Sequence, residues 1–466
     1  MNALTRFVVL ILASAPLVVS GQPKPHDRRQ FLDPHTQVSD DPRRVPVKPG
    51  PRGPAGTLVL RGGRVFDATG AGVRNATVVI ERNKIARIIP PGSTDWPADA
   101  RVIDVTGKTV MPGLIDLHTH LSRVDTDDFA TSLSDSASTL IAAEKLRYFI
   151  ESGITSVRDV GSRSDVPFRL KEWVAQNRIP GPRVFAAGQI ITGEGGHGAE
   201  GASDELIQMQ GEVRIASGPD DWRRAVREQF RKGADVIKLI SHFTPEEVKA
   251  GVDEAHTLGL KVAVDAETIY IQRAVEAGAD TIEHPLPRSD KTIELMAKMG
   301  TAADPTLIPY MIIFDQSGGY YDSTSRRFTF SKEADLEMLR RLKRAGIKCG
   351  VGTDLVSNWY RYLPIAYIAE LQQFVAAGWT VPEALTAATR INSQILDMDD
   401  RLGTLEPGKL ADILVVAGEP DVALEDLEKV DIVIRDGYVV VDQGHVVIAR
   451  HIPVRDWKAD GATVHY

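Results

Sequence analysis

The chain has 466 residues, of which 43% are hydrophobic and 25% are charged, so it can form one large globular domain and a smaller one. Its formal net charge of -8 argues against nucleic acid as a partner, because nucleic-acid-binding proteins carry basic surfaces. The single cysteine, Cys349, cannot form an intrachain disulfide.

The first 20 residues have the pattern of an export signal. Arg6 precedes an apolar run from Phe7 to Val19, and small residues up to Ser20 suit a cleavage site. A membrane anchor is the alternative, but the run is short for a bilayer span. We therefore expect a periplasmic or secreted protein whose mature chain has no membrane span. Residues 21–56, rich in Pro, Arg, Asp and Gly, are expected to form a linker or surface tail.

Short β patterns at both ends of the chain predict a small β domain. Such patterns fill residues 57–112, where Gly and Asn turns separate them, and they return within residues 396–455. We predict that the two segments combine into one β-sandwich.

Residues 113–395 alternate short β runs with amphipathic helical stretches, which is typical of βα units around a parallel sheet. Thr244, Pro245 and Glu247 predict one helix start, because they form a capping box with proline in the first turn. The fold is predicted to be α/β, a TIM-like (β/α)8 barrel with the small β-sandwich domain, and chemistry is expected where its strands end. The predicted barrel strands begin near Leu114, Ile154, Val184, Asp235, Lys261, Asp280, Gly300 and Ile347.

The first barrel strand, Leu114-Ile-Asp-Leu-His-Thr-His120, becomes polar at its end. Alternate strand residues share a face, so His118 and His120 can reach one metal ion together. Exposed loop histidines are the alternative for an isolated His-x-His. The apolar strand and the preceding Met111-Pro-Gly favour the metal site.

Three later strands also end in or carry polar residues, namely Lys238, His284 and Asp354. Lys238 lies in an apolar run, where it either extends to the barrel rim or becomes a neutral amine that can form a carbamate between two cations. A lone strand-end His or Asp is more often a cap or turn residue. The order of all these residues along the chain nevertheless favours metal-dependent hydrolysis, in which an aspartate can accept a proton from water.

The sequence resembles the amidohydrolase superfamily over roughly residues 57 to 445, in particular its imidazolonepropionase-like and Xaa-Pro dipeptidase-like branch. The resemblance implies hydrolysis of a C–N bond, in an amide, peptide or cyclic amide, by metal-activated hydroxide. A dipeptide or N-acyl amino acid is the expected substrate. The alternatives are an esterase or lactonase with the same site, and a non-catalytic binding protein on this scaffold. The matching motifs are Pro112-Gly-Leu-Ile-Asp-Leu-His-Thr-His120, Val236-Ile-Lys-Leu, Ile282-Glu-His-Pro and Gly350-Val-Gly-Thr-Asp354.

The same resemblance implies a cofactor of two divalent metal ions, zinc or else manganese, cobalt or iron. His118, His120 and Asp354 would hold the more buried ion. A carbamate on Lys238 would bridge to the second ion, which His284 would bind. Asp354 would also act as the catalytic general base.

The fifth barrel strand departs from the family pattern. In Lys261-Val-Ala-Val-Asp265, an aspartate replaces the histidine that normally binds the second metal. Aspartate can coordinate zinc, so Asp265 is a candidate ligand, either directly or through water. The other outcomes are a site with one metal and an impaired site.

The expected partner is a small-molecule amide or peptide substrate, and a homo-oligomer is left open. The glycine-rich loop Gly193-Glu-Gly-Gly-His-Gly198 lacks the Lys-Ser/Thr of a P-loop, and the resemblance places it over the active site. We assign His197 a catalytic or substrate contact, with a flexible turn as the alternative, and Tyr310 a substrate contact. Arg158 and Arg361 are candidates for binding a substrate carboxylate.

Overall fold

The computed structural model describes residues 53–123, 134–200, 203–318, 320–322, 327–329, 331–356 and 358–447. The predicted signal peptide, residues 21–52 of the predicted linker and residues 448–455 of the predicted β domain lie outside the described residues. Among the described helices, none has both the length and the apolar character needed to cross a membrane.

Strands from both ends of the chain form one sheet of nine strands. The first group comprises β1 (Thr57–Val65), β2 (Arg74–Glu81), β3 (Lys84–Ile89), β4 (Arg101–Asp104) and β5 (Thr109–Pro112). Near the C-terminus lie β17 (Ile413–Val416), β18 (Val430–Arg435), β19 (Tyr438–Asp442) and β20 (His445–Val446). β17 pairs antiparallel with β5, with Ile413 opposite Pro112, and this joins the two groups. Alternate apolar residues of both groups share one core, as the prediction of a β domain from both chain ends requires.

Seven parallel strands form most of the barrel, and two short strands are inserted after the third of them. The barrel strands are β6 (Leu114–Thr119), β7 (Ile154–Asp159), β8 (Arg183–Ala186), β11 (Val236–Ile240), β12 (Lys261–Asp265), β13 (Thr281–Glu283) and β14 (Ala302–Asp304). The inserted strands are β9 (Ile190–Thr192) and β10 (Val213–Ile215), and a separate hairpin comprises β15 (Tyr320–Asp322) and β16 (Arg327–Thr329).

The eighth barrel position is an extended segment and not a regular strand. Cys349 forms a single parallel bridge with Ala303, and the N–H of Leu117 donates to the carbonyl of Val351 at 3.0 Å, which closes the ring. The side chain of Asn392 pairs with this segment. Its amide oxygen accepts from the N–H of Val351 and its NH2 group donates to the carbonyl of Val351, each at 2.9 Å. A side-chain amide has therefore taken over backbone pairing that a full strand would provide.

Helices surround the barrel and pack their apolar faces on it. They are α1 (Asp135–Glu151), α2 (Val166–Ala175), α3 (Asp204–Gln210), α4 (Pro219–Lys232), α5 (Pro245–Thr257), α6 (Thr268–Ala277), α7 (Asp290–Met299), α8 (Leu307–Ser317), α9 (Lys332–Arg344), α10 (Ile365–Ala376), α11 (Val381–Thr386) and α12 (Asn392–Ile395). Short 3-10 turns cover Trp359–Tyr362 and Leu424–Glu428, and Ala387–Ile391 is a π-helical turn. The capping box predicted at Thr244 is present at the start of α5. The α/β class, the barrel and the additional β domain are confirmed.

Candidate metal centre

Two histidines and an aspartate converge where the first barrel strand ends. His118 lies in β6 and His120 follows that strand directly, and both side chains are buried. Their Nε2 atoms lie 3.8 and 3.4 Å from Oδ1 of Asp354, which follows the eighth barrel segment. The alternation predicted from the sequence therefore brings both imidazoles to the same carboxylate.

Asp354 is held against the first strand by its backbone. Its N–H donates to the carbonyl of His118 at 2.8 Å, and its φ of +47° lies in the left-handed region. Non-glycine residues adopt this region rarely, and such positions cluster at functional sites. Gly352 packs so closely here that a Cβ at its position would lie 2.7 Å from Cβ of His118. The close approach of the last barrel segment thus aims Asp354 at the histidines.

Lys238 points into the same centre from the middle of β11. The residue is buried, and its Nζ lies 3.4 Å from Nε2 of His118. Burial lowers the pKa of this lysine because its ammonium loses hydration. The alternative placement at the barrel rim does not describe this side chain.

His284 and Asp265 form a second pair beside the first group. Asp265 is the last residue of β12, and its Oδ2 lies 3.3 Å from Nε2 of His284. The imidazole rings of His284 and His118 have centroids 4.8 Å apart. Both members of the pair are buried, and their contact places the carboxylate of Asp265 beside this centre.

Each of the three histidines is fixed through Nδ1. His118 bonds Oε2 of Glu283 at 2.8 Å, and His120 bonds the carbonyl of Gly161 at 2.8 Å. His284 bonds the hydroxyl of Thr306 at 2.7 Å. These contacts orient each ring so that Nε2 is directed towards the shared centre, as partners of metal-binding histidines do.

The protonation states also suit metal binding. A carbonyl oxygen can only accept, so the Nδ1 of His120 donates and its Nε2 keeps a lone pair. Burial and the neighbouring Lys238 lower the pKa of His118 to about 4, and burial lowers the pKa of His120 well below its ordinary value. Both imidazoles are therefore neutral near pH 7, which is the form that coordinates metals.

The residues present fit a divalent metal. Candidate ligand atoms of His118, His120 and Asp354 lie within 4.8 Å of one another. Oδ1 of Asp354 is buried and has no hydrogen-bond partner among the described residues, although it faces two imidazole nitrogens. A divalent cation placed between these atoms would satisfy this oxygen and both imidazole nitrogens. Two neutral imidazoles and a carboxylate are a donor set typical of zinc sites.

A second cluster of possible ligands, formed by His118, Glu283 and Asp304, already holds a cation. The guanidinium of Arg158 lies 2.8 Å from Glu283 and 3.2 Å from Asp304. Burial favours the neutral acid at Glu283, but Arg158 and the contact with His118 outweigh it, and the pKa of Glu283 is lowered. We therefore interpret this cluster as a buried ion-pair network that supports His118. Arg158 is accordingly not at the barrel mouth, and its expected role in binding a substrate carboxylate is wrong.

His197 and Tyr310 make different contacts around this centre. The ring of Tyr310, in the first turn of α8, has its centroid 5.6 Å from that of His284. His197 is connected more indirectly, because its N–H bonds the carbonyl of Ser241 at 2.7 Å and its Nδ1 lies 2.5 Å from Glu200. The structure thus places Tyr310 beside the candidate ligand His284, and it holds His197 through its contacts with Ser241 and Glu200. Arg361 is exposed and packs over the ring of Tyr360.

Sequence reasoning missed the residues that support the ligands. Glu283 precedes His284 in the chain but contacts His118, and no local sequence pattern marks Thr306 as the partner of His284. A buried carboxylate of α10, Glu370, accepts the N–H groups of Leu307 and Ile308 at 2.9 Å each, which fixes the start of α8 directly after Thr306. An acid beside a strand-end histidine is the one local signal that points to this supporting layer.

The chain is similar to known proteins in both sequence and fold. The sequence profile of the amidohydrolase family matches residues 109–440. Ochratoxinase from Aspergillus niger is 25% identical over 457 residues, covering 90% of this chain and 92% of that protein. Imidazolonepropionase from Geobacillus kaustophilus is 26% identical over 423 residues, covering 81% and 92%. A solved structure of a Xaa-Pro dipeptidase with bound methionine in its active site superposes with a TM-score of 0.72 at 27% identity, covering 82% of this chain and 99% of that one.

Proposed function

The chain belongs to the amidohydrolase family, and on this premise we propose that it is an exported metal-dependent hydrolase that cleaves an amide, peptide or cyclic amide bond of a small molecule. Its relatives are hydrolases that act on C–N bonds, which supports this reaction class. The apolar run from Phe7 to Val19 supports export to the periplasm or the exterior.

The observation that carries the proposal is the convergence of three donor atoms in a buried position. Nε2 of His118, Nε2 of His120 and Oδ1 of Asp354 are the groups that would hold the metal. A divalent metal held there would lower the pKa of water and polarise a carbonyl group. Glu283 and the carbonyl of Gly161 keep the two imidazoles in the required orientation.

Asp354 is the proposed general base. Its second carboxylate oxygen, Oδ2, can accept a proton from the attacking water and pass it to the leaving nitrogen as the C–N bond breaks, so that water adds OH to the carbon and H to the amine. His197 and Tyr310 are the proposed substrate contacts. Tyr310 is the better supported of the two, because its ring packs beside that of His284.

We further propose two divalent ions, zinc or else manganese, cobalt or iron, with a carbamate on Lys238 between them. Burial lowers the pKa of Lys238, and a neutral amine is the form that combines with carbon dioxide. Lys238 also lies 3.4 Å from His118, so that a carbamate there would be adjacent to the ligand set.

The proposed substrate is a dipeptide or an N-acyl amino acid. This choice rests on the family resemblance and on a structural relative named as a Xaa-Pro dipeptidase. A screen of metal-reconstituted mature protein should pair each amide with the ester or lactone of matching side chain. Preferential amide turnover is expected. Faster turnover of the esters or lactones would indicate an esterase or lactonase. Bound metal without turnover of any substrate class would indicate a binding protein.

Asp354→Asn tests together the two roles proposed for this carboxylate, as a metal ligand and as the general base. The isosteric amide cannot accept the proton, so kcat should fall by roughly a hundredfold or more. His445→Ala, at an exposed position in β20, is the matched control and should leave turnover unchanged. Unchanged turnover in Asp354→Asn would remove that residue from the reaction.

A further inference from the structure

His120 lies on a loop that side chains attach to the neighbouring loop of the barrel. Among the described residues, the last backbone bond between β6 and β7 runs from the N–H of Val160 to the carbonyl of Thr119 at 3.0 Å. Beyond it, side chains join the first loop, residues 120–123, to the second loop, residues 160–163. The position of His120 therefore depends on these side-chain bonds.

A carboxylate and two hydroxyl groups make the connection. Oδ1 of Asp159, at the end of β7, accepts from the N–H of Leu121 at 2.8 Å and from the hydroxyl of Ser162 at 2.9 Å. The hydroxyl of Ser162 also accepts from the N–H of Ser122 at 3.2 Å. The hydroxyl of Ser122 in turn accepts from the N–H of Arg163 at 2.6 Å. The residues that follow His120 are thus bonded to the second loop and to the strand before it.

Lys145, in α1, holds the first loop from the helix side. Its Nζ donates to the carbonyl of His120 at 3.1 Å and to that of Arg123 at 2.6 Å. Lys145 is 1% exposed and Asp159 is 0% exposed. Burying an ionisable side chain removes its hydration, and an apolar residue would avoid that cost at either position. These two groups are therefore best explained by what they bond, which is the backbone on either side of His120.

The ring of His120 is in direct contact with the second loop. Its Nδ1 donates to the carbonyl of Gly161 at 2.8 Å. A Cβ at Gly161 would lie 2.9 Å from Cε1 of the ring, so the backbone of this loop packs against the imidazole. The two loops must keep their relative position for Nε2 of His120 to face Oδ1 of Asp354 at 3.4 Å.

We propose that Lys145, Asp159 and Ser162 are positioning residues for His120. The inference rests on the proposed metal-dependent function, because the direction of Nε2 matters where it has to meet a metal ion. The three residues act through the backbone and hydroxyl groups of the two loops, and not as ligands. Loosening either loop allows the ring to turn away from Asp354, which lowers the affinity for an ion held between them.

Cobalt binding provides the test. The metal-free full chain is titrated with cobalt(II) against a competing chelator, and the absorption spectrum of the bound cobalt reports its coordination geometry. Urea unfolding of the metal-free protein is measured in parallel. Lys145→Met removes both Nζ bonds and keeps a long buried side chain, and Ser162→Ala removes the hydroxyl that joins the two loops.

Each variant has a matched control. Lys171→Met removes another lysine, in α2, whose side chain is 14% exposed and whose Nζ lies 2.5 Å from Asp235. It should lose stability and keep its cobalt affinity. Ser156→Ala removes a buried hydroxyl inside β7 that has no hydrogen-bond partner among the described residues, and it should change neither quantity.

In Lys145→Met and in Ser162→Ala, the affinity for one cobalt ion per chain should fall by roughly 10–100-fold, and the spectrum should change. Unchanged affinity and an unchanged spectrum in both variants would overturn the proposal. An equal loss of affinity in Lys171→Met would overturn it too, because stability alone would then account for the effect. If Lys145→Met does not fold, the comparison of Ser162→Ala with Ser156→Ala decides the matter.

Failure of this inference and failure of the proposed function give different results. Unchanged cobalt affinity in the variants, with efficient amide turnover by the unmodified protein, would refute the positioning role and leave the hydrolase proposal standing. Weakened cobalt binding in the variants, without turnover of any substrate class by the unmodified protein, would support the positioning role and refute the hydrolase.

Discussion

Glu283→Gln tests whether the buried layer behind the ligands sets metal affinity. Oε2 of Glu283 lies 2.8 Å from both Nδ1 of His118 and the guanidinium of Arg158, and Oε1 accepts from Thr281 at 2.6 Å. Glutamine has nearly the same shape, but it offers only one acceptor oxygen. Its NH2 group would face Arg158 in either orientation, together with His118 in one and Thr281 in the other, and all of these are donors to Glu283.

The expected magnitudes follow from these contacts. Removing one partner of a buried ion pair costs about 3–5 kcal/mol, because the remaining charge is left without compensation. Arg158 keeps Asp304 at 3.2 Å, so we expect a loss of stability near the lower end, about 3 kcal/mol. Weakening the support of a metal-binding histidine lowers metal affinity by about 10–100-fold. Glu283→Gln should therefore lose stability and metal affinity together.

The assay combines urea unfolding of the metal-free protein with chelator competition for the first metal. Glu246→Gln, an exposed change in α5, is the matched control and should alter neither quantity. A variant with lower stability but unchanged metal affinity would show that Glu283 supports the fold alone. Unchanged values of both would refute the assigned role of the network.

Three further predictions concern other parts of the chain. Lys238→Ala should abolish turnover and regain part of it with short carboxylic acids, whereas near-normal turnover without an additive would exclude a carbamate role. Thr306→Ala removes the 2.7 Å contact with His284 and should lower affinity for the second ion roughly tenfold in metal titrations, with the first ion unaffected. Burial raises the pKa of Asp335, in α9, to about 7. The folded protein therefore retains a proton that the unfolded chain releases above about pH 4. The free energy of unfolding should fall as the pH rises between these two values. Asp335→Asn should remove this pH dependence, which is worth at most about 4 kcal/mol of unfolding free energy. If the urea midpoint changes equally in both proteins between about pH 5 and pH 8, the prediction is contradicted.

The barrel could be predicted because its strands are apolar runs with polar ends. Strands predicted near Leu114, Ile154 and Lys261 begin at those residues. The last strand could not be predicted in detail, since its pairing depends on Asn392. This residue lies 41 residues after Val351 and bonds the backbone of Val351 through its side chain. Local periodicity contains no information about such a contact.

The candidate metal ligands could be predicted from the sequence for a similar reason, but the residues that orient them could not. A histidine or aspartate at the end of an apolar strand is conspicuous, as His118 and Asp354 are. Arg158 has the same local pattern, but its guanidinium is buried against Glu283 and Asp304 in place of facing a substrate. Whether a strand-end charge faces the mouth or the interior depends on partners from other strands, and the sequence alone does not supply them.

The distribution of charge in the barrel gives a physical reason for a metal at this centre. Arg158 is engaged with Glu283 and Asp304, so it does not neutralise Asp354. His118 and His120 are neutral near pH 7, because burial lowers the pKa of each. Oδ1 of Asp354 is therefore a buried acceptor whose imidazole neighbours provide lone pairs and no positive charge. A divalent cation would add positive charge and satisfy all three groups at once, so the proposed metal would stabilise this fold as well as support its chemistry.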